Sequence, residues 1–522
     1  MNLVQSVEWA VVAPPLIAAV AAVAVLVADL FLPEGRKAVL GWLAAGGLAL
    51  AALALLPLRA GDRATFCLPD DPALCSYAAD RFAVIVQLLV LGGAFLVALL
   101  SVPETGGAAG GDGKPLPGGE FWFLLLSSAS GAALLPAARD LATLIIALEV
   151  TTLPAYALVA LRRSGTGPEA ALKFFLSSVT ATAVGLLGVS FVYAAAGSLY
   201  LAEIAEGLPE ADPRLATLAE AGVVLTLVAF AFKTAAVPFH FWVPETYLGA
   251  PLPVAGYLSV VGKTAGLAGL ILVTAEAFPG YGDLWGPALA VLAGLTMTAG
   301  NVAALRTDPA APGSAVRLLA WSSIGQAGYL LVPIAAAAYA EDTVGTTVAY
   351  ALMYGAVNLG AFAVAAYVAR HRAAHRIADY RGLWARQPLA ALALAFFLLC
   401  LAGLPPGVIG LFAKVAVFET AVAGDLGVLA VVMAVNVVIA LYYYLRWAAV
   451  LFTGGEEAAG EPAGEAVAEA GPGLVTEGGA AVATRPAVPL PLMGAIVLAA
   501  GAGLALSGAP QLVLTFVSGT LL

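Results

Sequence analysis

With 522 residues, 62% of them hydrophobic and only 11% charged, the chain lies far outside the composition of water-soluble proteins, in which roughly a quarter of residues carry charge. Its apolar content excludes a disordered chain, and its 57 Gly and 32 Pro follow no fixed short period, which excludes a fibrous one. A formal net charge of −10 with no basic cluster excludes nucleic acid as a partner and leaves the lipid bilayer as the solvent.

At about 20 apolar residues per span, the sequence predicts 14 transmembrane helices, at 9–32, 38–58, 81–100, 120–137, 141–161, 172–196, 218–242, 251–276, 285–305, 316–340, 344–369, 388–421, 427–452 and 487–508. The expected class is therefore an all-α polytopic membrane protein. The first run opens on Glu8 and Trp9 and has no cleavage signature, so it reads as a helix rather than a signal peptide. Loops on one side carry most of the Lys and Arg, including Arg36, Lys37, Lys114, Arg306, Arg317, Arg376 and Arg485; the other side carries only Arg59, Arg63, Arg81, Arg139 and Arg214. Positive charge marks the cytoplasmic side, so both termini are expected outside, in a multi-pass protein of the cell membrane.

Cys67 and Cys75 bracket CLPDDPALC on the outer side and can form a disulfide if that loop meets an oxidising compartment; Cys400 reads as a small buried side chain. Three Cys without a CxxC, and three His, supply no cluster for zinc, iron–sulfur or haem, so no cofactor is expected in this chain. Residues 453–486, with EEAAGEPAGEAVAEAGPG, read as an acidic, disordered cytoplasmic insertion.

The informative residues are charges inside apolar runs, because an ionisable group at mid-bilayer costs several kcal/mol unless it meets a partner or water. Glu149 lies in ALEVTTLPAYALVALRR, Lys233 in VLTLVAFAFKTAAVPFHFW, Lys263 in AGYLSVVGKTAGLAGL and Lys414 in GLPPGVIGLFAKVAVFE. Pro238 removes the helical bond to the Thr234 carbonyl beside Lys233, while Pro405 and Pro406 free the carbonyls of Leu401 and Ala402 about two turns before Lys414. Helices 7 and 12 are therefore expected to be discontinuous. Freed carbonyls beside buried charge suit an ion path, since bare backbone is tolerated only where it lines a cavity. Static ion pairs and simple kinks explain one such site as readily; four on separate helices favour a polar track.

ALEVTTLPAYALV (147–159) and AWSSIGQAGYLLV (320–332) align at Ala147/Ala320, Tyr156/Tyr329, Leu158/Leu331 and Val159/Val332. Five helices separate the copies, so the second enters from the opposite side, which predicts two inverted five-helix repeats, helices 4–8 and 9–13. The chain then divides into helices 1–3 (1–119), a first repeat (120–276), a second repeat (285–452), the insertion (453–486) and a C-terminal helix (487–522). Lys233 with Glu149 would serve one half-channel and Lys414 the other, with Lys263 between them.

The run FAFKTAAVPFHFWVPETYLGAPLPVAGYLSVVGKTAG resembles the signature of the antiporter-like membrane subunits of respiratory complex I, NADH:quinone oxidoreductase. LEVTTLPAYALVALRR, EAALKFFLSS, RLLAWSSIGQAGYLLV, GLPPGVIGLFAKVAVF and YYYLRWAAVLF resemble the N type within that family, closely over about 120–450. A Lys rather than a Glu in the twelfth helix fits the N type better than the M type.

The resemblance implies a proton-translocating subunit driven by quinone reduction elsewhere, with flavin and iron–sulfur clusters in partner subunits. It implies as partners the M-type antiporter-like subunit, the K- and J-type subunits, the lateral helix of the L-type subunit, and lipids. It makes Glu149 and Lys233 the ion pair of the first half-channel, Lys263 the relay, and Lys414 the terminal protonatable residue toward the outer side. His240 would lie near proton entry or simply cap a helix end. Lys173 has a role in the path or snorkels to the interface. Gln326 stands where many relatives have a His; an amide orders water but cannot be protonated, so a relay there must run through water. A cation/proton antiporter subunit of the Mrp type is the alternative, and a static scaffold the third reading.

Overall fold

The computed structural model describes residues 7–105, 116–162, 165–370, 372, 374–454 and 488–515. Thirteen helices among these are long and apolar enough to cross a membrane. In chain order they are α1 (Trp9–Phe31), α2 (Ala38–Leu53, prolonged by a 3-10 turn to Ala60), α3 (Arg81–Thr105), α4 (Gly118–Leu134, with a terminal turn to Ala137), α5 (Leu141–Ala160), α6 (Gly167–Ala196), α7a (Ala216–Thr234), α8 (Leu252–Ala277), α9 (Gly282–Leu305), α10 (Ser314–Ala336), α11 (Val344–Ala369), α13 (Gly427–Phe452) and α14 (Leu490–Gly508).

The predicted span 388–421 is divided into two shorter helices, α12a (Pro388–Ala402) and α12b (Val408–Ala423). The predicted span 218–242 likewise ends early: α7a stops at Thr234, Ala235 turns left-handed at φ 62°, and α7b (Trp242–Gly249) begins seven residues later. Both discontinuities fall at Pro238 and at Pro405–Pro406, where backbone donors are missing. Proline alone does not break a span, since Pro154 and Pro333 lie within continuous α5 and α10.

The loop between α2 and α3 adds a short two-stranded element to the otherwise helical fold. It folds as an antiparallel hairpin, β1 (Arg63–Cys67) and β2 (Cys75–Ala79), with Cys67 opposite Cys75 and a disulfide between them. Alternating RATFC and CSYAA suit a ladder, and the intervening Asp and Pro suit its turn. Helix α6 starts at Gly167 rather than 172, because Pro168 fits the first helical turn. Most of the acidic insertion, Lys114 and Arg485 lie outside the described residues.

Burial separates an inner layer from an outer one. In the most apolar stretches of α8, α10 and α11, 89%, 94% and 89% of residues are buried, against 33% in α1, α6 and α13. Helices α9 and α10 pack along their length, as do α6 and α7a, while α14 closes against α11 and α3. The inner helices carry apolar residues on every side, the pattern of helices surrounded by protein, and they position Lys263, Ser323, Gln326, Tyr350 and Tyr354 away from lipid.

Candidate functional site: a buried line of lysines and hydroxyls

Lys233, Lys263 and Lys414 are 4%, 1% and 4% exposed. Among the described residues no carboxylate lies within ion-pair distance of any of them, and each ammonium is held by neutral oxygens.

At the first lysine, α7a brings Lys233 Nζ to Ser178 Oγ, to which it donates, and to within 3.4 Å of the Tyr156 hydroxyl. Tyr156 in turn donates to Ser178 at 2.5 Å. The rings of Tyr156, Phe174 and Phe232 stand 5.6, 5.7 and 5.6 Å from the ammonium, close enough for cation–π attraction. Glu149, one to two turns along α5 from Tyr156, faces α6 instead: Thr182 donates to its carboxylate at 2.7 Å. Glu149 and Lys233 are thus not the direct ion pair that the resemblance implies. Ser178 and Thr182, one turn apart on α6, bind the lysine and the acid respectively, so a layer of hydroxyls separates the two charges. Gly266 lets α8 approach α7a here, since a Cβ at that position would lie 2.7 Å from the Cβ of Lys233.

At the centre, Lys263 follows a π-helical turn over Leu258–Gly262, a local widening common at functional sites. Its Nζ donates to the Ser323 carbonyl at 2.5 Å and hydroxyl at 2.6 Å. Tyr354 donates to the same Ser323 hydroxyl at 2.8 Å, and Asn358 to Ser259 at 2.7 Å. The Asn358 Oδ1 is buried without a protein partner, which marks this cluster as a place for water.

At the third lysine, Lys414 Nζ donates to the carbonyls of Leu401 at 3.0 Å and Ala402 at 2.7 Å, the two that the proline pair releases. Gly403 caps α12a at φ 84°, and a Cβ there would lie 3.1 Å from the Lys414 chain, so this turn requires glycine. Gln326 shares the Leu401 carbonyl, donating to it at 3.3 Å and to Tyr444 at 3.2 Å, while Tyr350 donates to the amide oxygen at 2.5 Å. A cavity of about 20 Å3 among Gln326, Tyr350, Tyr354 and Leu401 is large enough for one water. Its lining includes Tyr354 of the central cluster and Leu401 of the third.

His240 lies in the segment between α7a and α7b with its ring 5.8 Å from that of Trp321, and it makes no hydrogen bond to Lys233. Lys173 is at the surface, 57% exposed, paired with Glu169 at 2.6 Å; it stands apart from the buried line. Among the described residues, no group of three or more His, Cys, Asp or Glu is placed to hold a metal ion.

The sequence reading missed Ser178, Thr182, Ser323, Tyr350 and Tyr354. A signal existed: hydroxyls recur one turn apart at Ser178/Thr182 and Tyr350/Tyr354, on faces of apolar helices where nothing polar is needed for solubility.

Residues 138–440 match the family described as NADH:quinone oxidoreductase/Mrp antiporter, TM. The chain is 64% identical over 519 residues to NADH-quinone oxidoreductase subunit N 2 of Streptomyces griseus, covering 99% of this chain and 94% of that one. It is similar to a chain of respiratory complex I from Thermus thermophilus, solved with bound aureothin, at 31% identity and a TM-score of 0.73 over 96% of this chain and 98% of that one. It also shares its fold with a chain of the Mrp complex from a Dietzia species, at 23% identity and a TM-score of 0.78 over 97% and 96% of the two chains.

Proposed function

The chain belongs to the family of NADH-quinone oxidoreductase subunit N and is a proton-translocating membrane subunit of that complex, and from that premise we propose that protons cross it along the line Glu149, Lys233, Lys263 and Lys414. The observation that carries this reading is that three buried ammonium groups are held by neutral oxygens alone. A static scaffold would pair such charges with carboxylates, because an unpaired charge in low dielectric is costly. Held by hydroxyls and carbonyls, each lysine can give up or take a proton without leaving a buried carboxylate uncompensated.

In the first half, Thr182, Tyr156 and Ser178 connect Glu149 with Lys233. A conformational change that draws Lys233 toward Glu149 would stabilise its proton; withdrawal would push charge toward Lys263, since like charges repel strongly in low dielectric. From Lys263 the path runs through Ser323 and Tyr354 to the one-water cavity, then past Gln326 to Lys414. Gln326 cannot be protonated, but it orders the water that can carry the proton. His240 lies toward the entry side, and Lys173 has an interfacial role.

We assign residues 120–276 and 285–452 as inverted repeats, supported by the aligned tyrosines: the ring of Tyr156 stands 5.6 Å from Lys233, and that of Tyr329 stands 5.7 Å from Lys414. The disulfide hairpin between α2 and α3 supports an outer location for that loop and hence for both termini. Electron transfer, with its flavin and iron–sulfur clusters, is assigned to partner subunits. The M-type, K- and J-type subunits and the lateral helix of the L-type subunit are the proposed neighbours.

The test uses the assembled complex in sealed vesicles, with proton uptake followed by a pH-sensitive dye and NADH oxidation followed in parallel. Lys233→Met is expected to cut the initial pumping rate by about tenfold or more. Undiminished pumping by an assembled Lys233→Met complex would sink the path, and pumping that requires sodium would favour the Mrp-type reading.

A further inference from the structure

A second feature takes no part in this path: an open cleft between the last turn of α9 and the first turns of α10. Its volume is about 620 Å3, within the range of ligand sites. Arg306 and Arg317 stand at its polar end, where the two spans finish, and Ala299, Val302, Ala303 and the Trp321 ring line the part deeper in the membrane. Beyond the cleft α9 continues with Leu295 and Val291, 50% and 61% exposed, an uncovered apolar track running into the bilayer.

The charges here are only partly engaged by the protein. Among the described residues Arg306 makes no ion pair and no side-chain hydrogen bond, and the one carboxylate near Arg317 is Glu245 at 4.0 Å, itself half exposed. Asp308, the acid in the cleft, turns its Oδ1 to its own loop and accepts from the Ala310 amide at 3.0 Å. The open Arg306 guanidinium, with Arg317 held only by a carboxylate at 4.0 Å, lies beside apolar surface at a membrane boundary and matches a phosphate group that carries hydrocarbon.

We propose that this cleft binds an anionic glycerophospholipid, its phosphate between Arg306 and Arg317 and an acyl chain along Leu295 and Val291. A seated lipid covers Trp321, whose ring packs on His240, and so braces the segment between α7a and α7b.

The complex is purified with the unchanged chain and with Arg306→Gln/Arg317→Gln, stripped of lipid, incubated with vesicles of phosphatidylglycerol or of phosphatidylcholine, washed, and assayed for retained phospholipid. The unchanged complex is expected to retain one more phosphatidylglycerol than the variant, with about a tenfold weaker affinity in the variant, and no extra phosphatidylcholine in either. Equal retention of phosphatidylglycerol by both complexes overturns the proposal. So does its full displacement by inorganic phosphate, which would make this a site for free phosphate. Arg306→Gln alone, which costs no bond inside the protein, carries the same test if the double variant does not assemble.

Discussion

The two outer lysines are held by opposite means. Lys233 lies before its helix break and is bound by side chains of other helices, Ser178 and Tyr156, inside three aromatic rings, with Glu149 one hydroxyl layer away. Lys414 lies after its break and is bound by backbone, the carbonyls of Leu401 and Ala402, with a single ring beside it. The gapless alignment places Ser322 where the proposed first repeat has Glu149, so the proposed second repeat has no acid at the matching position. The first site can therefore be tuned by an acid and dismantled one side chain at a time, whereas the second depends on the shape of the chain itself. A cation can be kept in a membrane interior either way, because hydroxyls and carbonyls both present the oxygens that desolvation takes away.

This contrast can be broken by substitutions whose effects should differ between the halves. Ser178→Ala with Tyr156→Phe removes both ligands of Lys233 and is expected to slow pumping by about tenfold, as the loss of hydrogen bonds to a charged group worth about 1.4 kcal/mol implies. Pro405→Ala with Pro406→Ala restores backbone donors to α12, lets them compete for the Leu401 and Ala402 carbonyls, and should lower pumping about threefold, with NADH oxidation read in the same vesicles. Tyr329→Phe should be mildest, within about twofold, because the Tyr329 hydroxyl donates to the Met433 carbonyl and only its ring faces Lys414. If Tyr329→Phe proves as damaging as Tyr156→Phe, the two lysines are held more alike than their ligands indicate.

Several features were legible in advance for reasons confined to one helix. Missing amide donors at Pro405 and Pro406 name the carbonyls they release, and Lys414 takes both. Apolar runs of known length name the spans, and the four buried charges stand out against them. The hairpin escaped because its strands are five residues each and lie in a loop read only for its cysteines. The separation of Glu149 from Lys233 escaped because it depends on how α5, α6 and α7a rotate against one another, which no single helix encodes.

By itself, then, the sequence determined a bilayer-spanning chain with breaks at two prolines and ionisable groups at depth, since hydropathy, missing donors and charge are properties of a residue and its near neighbours. Only the tertiary structure decided what each charge touches: Ser178 rather than Glu149 for Lys233, Ser323 for Lys263, and a one-water cavity between Tyr354 and Gln326. The two lysine contacts join residues 55 and 60 positions apart through helix packing, and packing is settled by the fit of whole surfaces rather than by any local pattern.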